Sequence, residues 1–179
     1  LFVMECQKII QQYQLGDPMN PATTMGPLVN AHAIKAMQEQ IDDAVSKGAS
    51  IICGGQEDII GHGHFFEPSL IINVTHEMLI MKEENFGPIL PVMKVTSDDQ
   101  AIDLINDSQY GLTAAIYTNS EELSERFAKE VEAGTIFRNR CDYLDPALPW
   151  TGWKNSGRGS GLSKYAFHGL TKLKSINFK

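Results

Sequence analysis

The chain lacks long apolar runs. Its apolar stretches are short and interrupted, so no membrane span is expected. It lacks any long run of one charge as well. Fifteen Lys and Arg against 22 Asp and Glu give a net charge of -7, which leaves no strongly basic face for nucleic acid. Cysteine is scarce: Cys6, Cys53 and Cys141 are odd in number and far apart. That argues against a disulfide framework and for reduced thiols in a cytoplasmic compartment. No metal-ligand spacing joins them, and no metal site is expected. Repeats and low-complexity tracts are missing. The opening "LFVMECQKII" has no initiator methionine and no basic region ahead of an apolar core. It does not read as a signal peptide. It reads as the middle of a helix, as though the chain begins inside a larger fold.

What is present is ordinary globular composition. The 179 residues, 42% hydrophobic and 21% charged, suffice for one domain with a sizeable core. Leu1 to Tyr13 carries apolar residues on one helical face and stops near Gly16. The Pro- and Gly-rich "DPMNPATTMGP" is a loop. Asn30 can cap a helix in which Ile34, Met37, Ile41, Ala44 and Val45 recur at three- and four-residue spacing, and Gly48 ends it. "ASIICGG" reads as a buried strand, "GHGHFFEPSLIINV" as a turn and an extended segment, and "ILPVMKV" as another strand. Thr96, Ser97 or Asp98 can cap a helix through Ile105. "YGLTAAIYT" is a turn plus strand, Ser120 caps a helix through Val131, and "GTIF" is a strand. A long loop runs to Gly161. A short helix from Leu162 to His168 and a final strand in "LKSINF" complete the chain. The alternation predicts an α/β fold: a mostly parallel sheet with flanking helices.

Several stretches could carry chemistry. Cys141 and Asp142 could join His168 as nucleophile, orienter and base. Cys53 suits an inert strand position and Cys6 a core or helix surface. His62 and His64 could contribute to a metal site or simply be solvated in a glycine-rich turn. "SGRGSG", Ser156 to Gly161, has the look of a phosphate-binding loop. It follows a loop rather than a strand, so its glycines equally suit a tight chain path. "EENFGP", residues 83–88, has two readings. It is a solvated turn into a strand, or a ligand-binding turn. In the second, a carboxylate accepts hydrogen bonds from a ribose's vicinal hydroxyls and an aromatic ring packs on a flat heterocycle. Gly87 and Pro88 would set the backbone for it.

In order along the chain, "LGDPMNPATTMGPLV", "GASIICGG", "GHFFEPSLI", "EENFGPILPV", "YGLTAAIYT", "AGTIFRN" and "LPWTGWKNSGRG" resemble the C-terminal portion of the NAD(P)-dependent aldehyde dehydrogenase superfamily. The resemblance covers essentially the whole chain. It implies NAD or NADP as cofactor, a small-molecule aldehyde as substrate, and a homodimer or homotetramer in the parent protein. It places Glu84 on the nicotinamide ribose and Phe86 near the nicotinamide ring. It puts Leu144 and Trp150 on the wall of the substrate tunnel. Where the family carries Pro-Phe-Gly-Gly, this chain has Pro149-Trp150-Thr151-Gly152.

The resemblance also implies an arrangement. Residues 1–169 would be a catalytic-domain portion, residues 170–179 an oligomerisation strand, and the cofactor domain would lie outside the chain. The family's chemistry runs from thiolate attack on the aldehyde, through a thiohemiacetal and hydride transfer, to hydrolysis of a thioester. No cysteine here sits in the family's nucleophile context, so no catalytic residue is assigned. The chain is expected to be inactive alone. The competing expectations are a non-catalytic structural or binding module with this fold, and a hydrolase dependent on Cys141.

Overall fold

The computed structural model describes residues 1–61, 63–141 and 143–179. They form two compact units, residues 1–94 and 95–179.

The first unit is built around a capped amphipathic helix. Helix α1 spans Phe2–Ile10, and a loop held by local Asx turns at Asp17 and Asn20 follows it. Helix α2 spans Ala31–Ser46, with the Asn30 side chain accepting from the Ala33 N–H. Strands β1 (Ser50–Cys53), β4 (Ser69–Ile72) and β5 (Ile89–Val92) form a three-stranded sheet in the order β1-β4-β5. β4 runs antiparallel to β1 and parallel to β5. Between β1 and β4, strands β2 (Glu57–Ile60) and β3 (Gly63–Phe66) make an antiparallel hairpin. A single-turn helix, α3 (Leu79–Lys82), precedes the Glu83–Pro88 turn. The predicted apolar stripe of α2, Ile34, Met37, Ile41 and Ala44, packs with Phe66, Ile71, Val74, Met78 and Ile80. Each Val, Ile, Met or Phe side chain among them contributes about 1.5–3 kcal/mol when fully buried.

The second unit contains a β-α-β crossover. Helix α4 (Asp98–Asn106) is capped by Ser97, whose side chain accepts from the Gln100 N–H. After the short strand β6 (Tyr110–Gly111) come β7 (Thr113–Ile116), helix α5 (Glu121–Glu130) and β8 (Thr135–Arg138). Ser120 caps α5 by accepting from the Leu123 N–H. β7 and β8 are parallel neighbours, as a helical crossover requires. Ile102 of α4 and Phe127 of α5 pack with Val131 and Ala133 against Ala114, Ile116 and Ile136.

Several expectations need correction. The sheets are mixed: β4–β5 and β7–β8 are parallel, whereas β1–β4, β2–β3 and the pair of β6 with β9 (Trp153–Lys154) are antiparallel. Short, weakly patterned elements escaped notice: β2, whose residues are all exposed, the single turn α3 and the two-residue β9. The last helix, α6, spans Ala166–Leu170 rather than starting near Leu162. Leu162 and Ser163 have φ values of 56° and 52°, which no α-helix accommodates. Residues 171–179 form no strand within this chain, and all are exposed. Cys53 lies in β1 as expected but is only half-buried.

Candidate functional site

The Glu83–Pro88 turn is pinned from beneath by α2. Successive side chains alternate in direction. Glu84 and Phe86 are exposed, Phe86 to 80%, whereas Asn85 between them turns inward. Its Nδ2 donates to Oε1 of Gln40 at 2.8 Å, and Gln40 is only 4% exposed. Gln40 Nε2 lies 3.5 Å from the Glu84 carbonyl oxygen, at the long limit of a hydrogen bond. A Cβ on Gly87 would be driven into the thioether of Met37, which is buried in the same helix. The glycine therefore lets the turn settle onto α2. Beyond it, the Ser69 N–H donates to the Pro88 carbonyl at 2.8 Å, which joins the turn to the sheet just before β5.

A second polar row on α2 holds the approach to the turn. Asp43 Oδ2 accepts from the Leu79 N–H at 2.8 Å, at the start of α3. Lys47 Nζ pairs with Asp43 Oδ1 at 2.7 Å and donates to the Glu77 carbonyl at 2.7 Å. The Lys47 hydrogen bond, and then the Leu79 N–H, hold the Asp43 carboxyl below the usual aspartate range. No ion pair or hydrogen bond engages the Glu84 carboxylate among the described residues. The turn thus presents an uncommitted anion and an open aromatic face on a fixed backbone. These two groups fit a ribose diol and a flat heterocycle.

The other predicted residues lie in the second unit. Trp150 is half-buried and forms a reciprocal pair with Gly161, each N–H donating to the other's carbonyl at 2.8 Å. Its ring lines a cavity of about 200 Å³ together with Phe137, Tyr143 and Leu148. Leu144 is 56% exposed and does not line that cavity. Arg140 stacks over the Tyr143 ring, 3.7 Å from its centroid.

The remaining candidates are engaged in other ways. Cys141 is exposed, and the interaction of its thiol with the Tyr117 phenol, followed by burial, pushes the phenol's pKa up. His168 stacks on Tyr165 with ring centroids 6.2 Å apart. Asp142 lies outside the described residues, as does His62. His64 Nδ1 sits 3.2 Å from Glu57 Oε1 across the β2–β3 hairpin. The "SGRGSG" segment is tied down by its own neighbours. Ser156 Oγ accepts from the Gly111 N–H at 3.0 Å, and Thr151 Oγ1 donates to the Gly159 carbonyl at 2.7 Å. Gly157 and Gly159 have φ values of 135° and 88°, which favours the tight-path reading of these glycines.

The aldehyde dehydrogenase family matches residues 1–176. The chain belongs to this family. The NADP(+)-dependent succinate-semialdehyde dehydrogenase 2 of Schizosaccharomyces pombe is 34% identical over 178 residues, which are 99% of this chain and 36% of that protein. The solved structure of Gox0499 superposes with a TM-score of 0.91 at 33% identity, covering 99% of this chain and 39% of that one. Betaine aldehyde dehydrogenase from Staphylococcus aureus, solved in complex with NAD+, gives a TM-score of 0.87 at 30% identity, covering 94% of this chain and 34% of that one. The aldehyde dehydrogenase chain described here thus spans about a third of the length of the curated relatives it matches. Among its described residues, no helix is long and apolar enough to cross a membrane.

The sequence gives no role to Gln40 or Asn85, and it marks Met37 only as part of the apolar stripe of α2, not as the seat of Gly87. A signal for the first was present. Gln40 is the one strongly polar residue on the apolar stripe of α2, three positions after Met37 and four before Ala44. A polar side chain at such a position needs a partner.

Proposed function

We propose that these residues are the cofactor-ribose and substrate-wall portion of an NAD(P)-dependent enzyme that oxidises an aldehyde to a carboxylic acid. Family membership supports the reaction class, and the pinned "EENFGP" turn supports the cofactor contact. Bound NAD(P) would accept the hydride that the aldehyde carbon gives up. Glu84 accepts the ribose hydroxyls through its ionised carboxylate. Phe86 packs at the nicotinamide end. Asn85 and Gly87 keep the backbone still, so both side chains are oriented before the cofactor arrives. Trp150 and Leu144 form part of the wall facing the aldehyde, at the two ends of the 144–150 segment. None of Cys6, Cys53 and Cys141 is assigned the nucleophile's role, and these 179 residues by themselves do not turn over aldehyde. The enzyme works in the cytoplasm as a homodimer or homotetramer.

The observation that carries the cofactor assignment is the outward, unpaired pose of Glu84 beside the exposed Phe86 ring. Glu84→Gln in the full-length gene product tests it. The amide keeps a hydrogen bond but loses charge assistance, so the cofactor dissociation constant should rise about five- to tenfold. The fold, followed by circular dichroism, should stay the same. An unchanged constant removes Glu84 from the cofactor site.

A further inference from the structure

We propose that Gln40 is a positioning residue for the cofactor-binding turn, acting on Glu84 and Phe86 through Asn85. The inference rests on the assignment of Glu84 to the cofactor ribose. Three observations carry it.

Gln40 is a neutral polar side chain buried in the apolar face of a helix whose neighbours on that face, Met37, Ile41 and Ala44, all pack into the core. Burying an amide there is unfavourable unless it makes a hydrogen bond, so the position is costly for stability alone. The partner it finds lies 45 residues away, and that partner is the inward-pointing residue between the two outward ones. Finally, Asn85 Oδ1 is buried without a hydrogen-bond partner. An apolar pair at 40 and 85 would fill the space without that unsatisfied acceptor. What the amide pair supplies, and an apolar pair would not, is a directional lock. It sets the rotation of residue 85, and with it the opposite pose of residues 84 and 86.

The arrangement divides the labour on the turn. Met37 under Gly87 sets its height on α2, and the Gln40–Asn85 pair sets its rotation. Neither touches the cofactor. Both Gln40 and Asn85 are neutral amides, so the lock itself contains no titratable group.

The test is a double-mutant cycle in the full-length gene product with Gln40→Met, Glu84→Gln and the combined variant. NAD+ and NADP+ dissociation constants are measured by calorimetry, and amide hydrogen exchange is followed over residues 83–87. Met keeps the volume and removes the hydrogen bond. Gln40→Met should speed exchange at residues 84–86 and weaken cofactor binding about three- to tenfold. In the Glu84→Gln background the same change should cost clearly less than in the parent, because the charge-assisted contact it positions is already lost. Full additivity of the two effects overturns the inference while leaving the Glu84 assignment intact. So does unaltered exchange in Gln40→Met. If Glu84→Gln by itself has no effect on either constant, the Glu84 assignment fails first and the positioning role falls with it. Asn85→Leu paired with Gln40→Leu guards against simple destabilisation. The apolar pair should retain the thermal midpoint within a few degrees yet bind cofactor as weakly as Gln40→Met. Parent-like binding by that pair overturns the lock.

Discussion

Lys154 Nζ lies 2.7 Å from Glu132 Oε2, tying β9 to the segment between α5 and β8. The same ammonium donates to the carbonyls of Asn106, the last residue of α4, and Ser108, just past it, at 2.7 and 2.9 Å. One cation thus satisfies the C-terminal end of a helix and a carboxylate together, with its side chain only 23% exposed. It does so from a backbone with φ of 51°, a conformation tolerated where surroundings over-determine it.

Replacing Lys154 with Met should therefore cost about 2 kcal/mol or more, since two charge-assisted bonds to carbonyls are lost and Glu132 is left unpaired. Denaturant unfolding of the purified protein checks this. A cost within a few tenths of a kcal/mol would mean that Lys154 is an ordinary surface lysine.

Asp43 supplies a pH prediction. Its folded pKa is lowered, first by the Lys47 hydrogen bond and then by the Leu79 N–H. A depressed carboxyl stabilises the fold above its unfolded pKa, and that contribution is lost as pH falls through the folded value. Asp43→Asn should thus be less stable than the parent at pH 7. The difference should narrow as acid protonates the parent's Asp43 below the usual aspartate range. Thermal midpoints of both proteins between pH 7 and pH 2.5 give the answer. A gap that is constant across this interval would show that the ion pair contributes nothing.

The tail from 171 to 179 gives an assembly prediction. Leu173, Ile176 and Phe178 are all exposed, and no strand partner within the chain takes up their backbone groups. If the tail pairs across the proposed homo-oligomer, deleting residues 171–179 from the full-length gene product should lower its oligomeric mass, since an edge segment's unpaired backbone groups can be met by another subunit. Light scattering on parent and truncated protein measures it. An unchanged mass leaves the tail without an assembly role.

Helices α2, α4 and α5 and the region of their starts were legible from sequence because capping is a local matter, whereas the uncapped α3 and the start of α6 were not. Asn30, Ser97 and Ser120 each accept from an N–H three residues on, with no help from distant chain. The apolar stripe of α2 was equally plain, since a period of three and four residues is written along one segment. The strands β1, β4, β5, β7 and β8 fell where apolar runs placed them, and β4–β5 and β7–β8 are parallel as expected, but β1–β4 is antiparallel. Whether β4 pairs parallel or antiparallel with β1 depends on how the chain between them travels. That chain spends its length on the β2–β3 hairpin rather than on a helix, which brings β4 back antiparallel.

The candidate site divides along the same line. Glu84 and Phe86 could be named from a six-residue motif, since an acid, an aromatic and a Gly-Pro break lie side by side. That both point outward is a tertiary fact. Asn85 turns inward because Gln40 waits 45 residues earlier in the sequence, on a helix that packs beneath the turn. Sequence determined which groups the turn carries, for chemistry resides in residue types. Only the packing of α2 under the turn decided which way they face, because a hydrogen bond between distant segments exists only once the core has brought them within 3 Å.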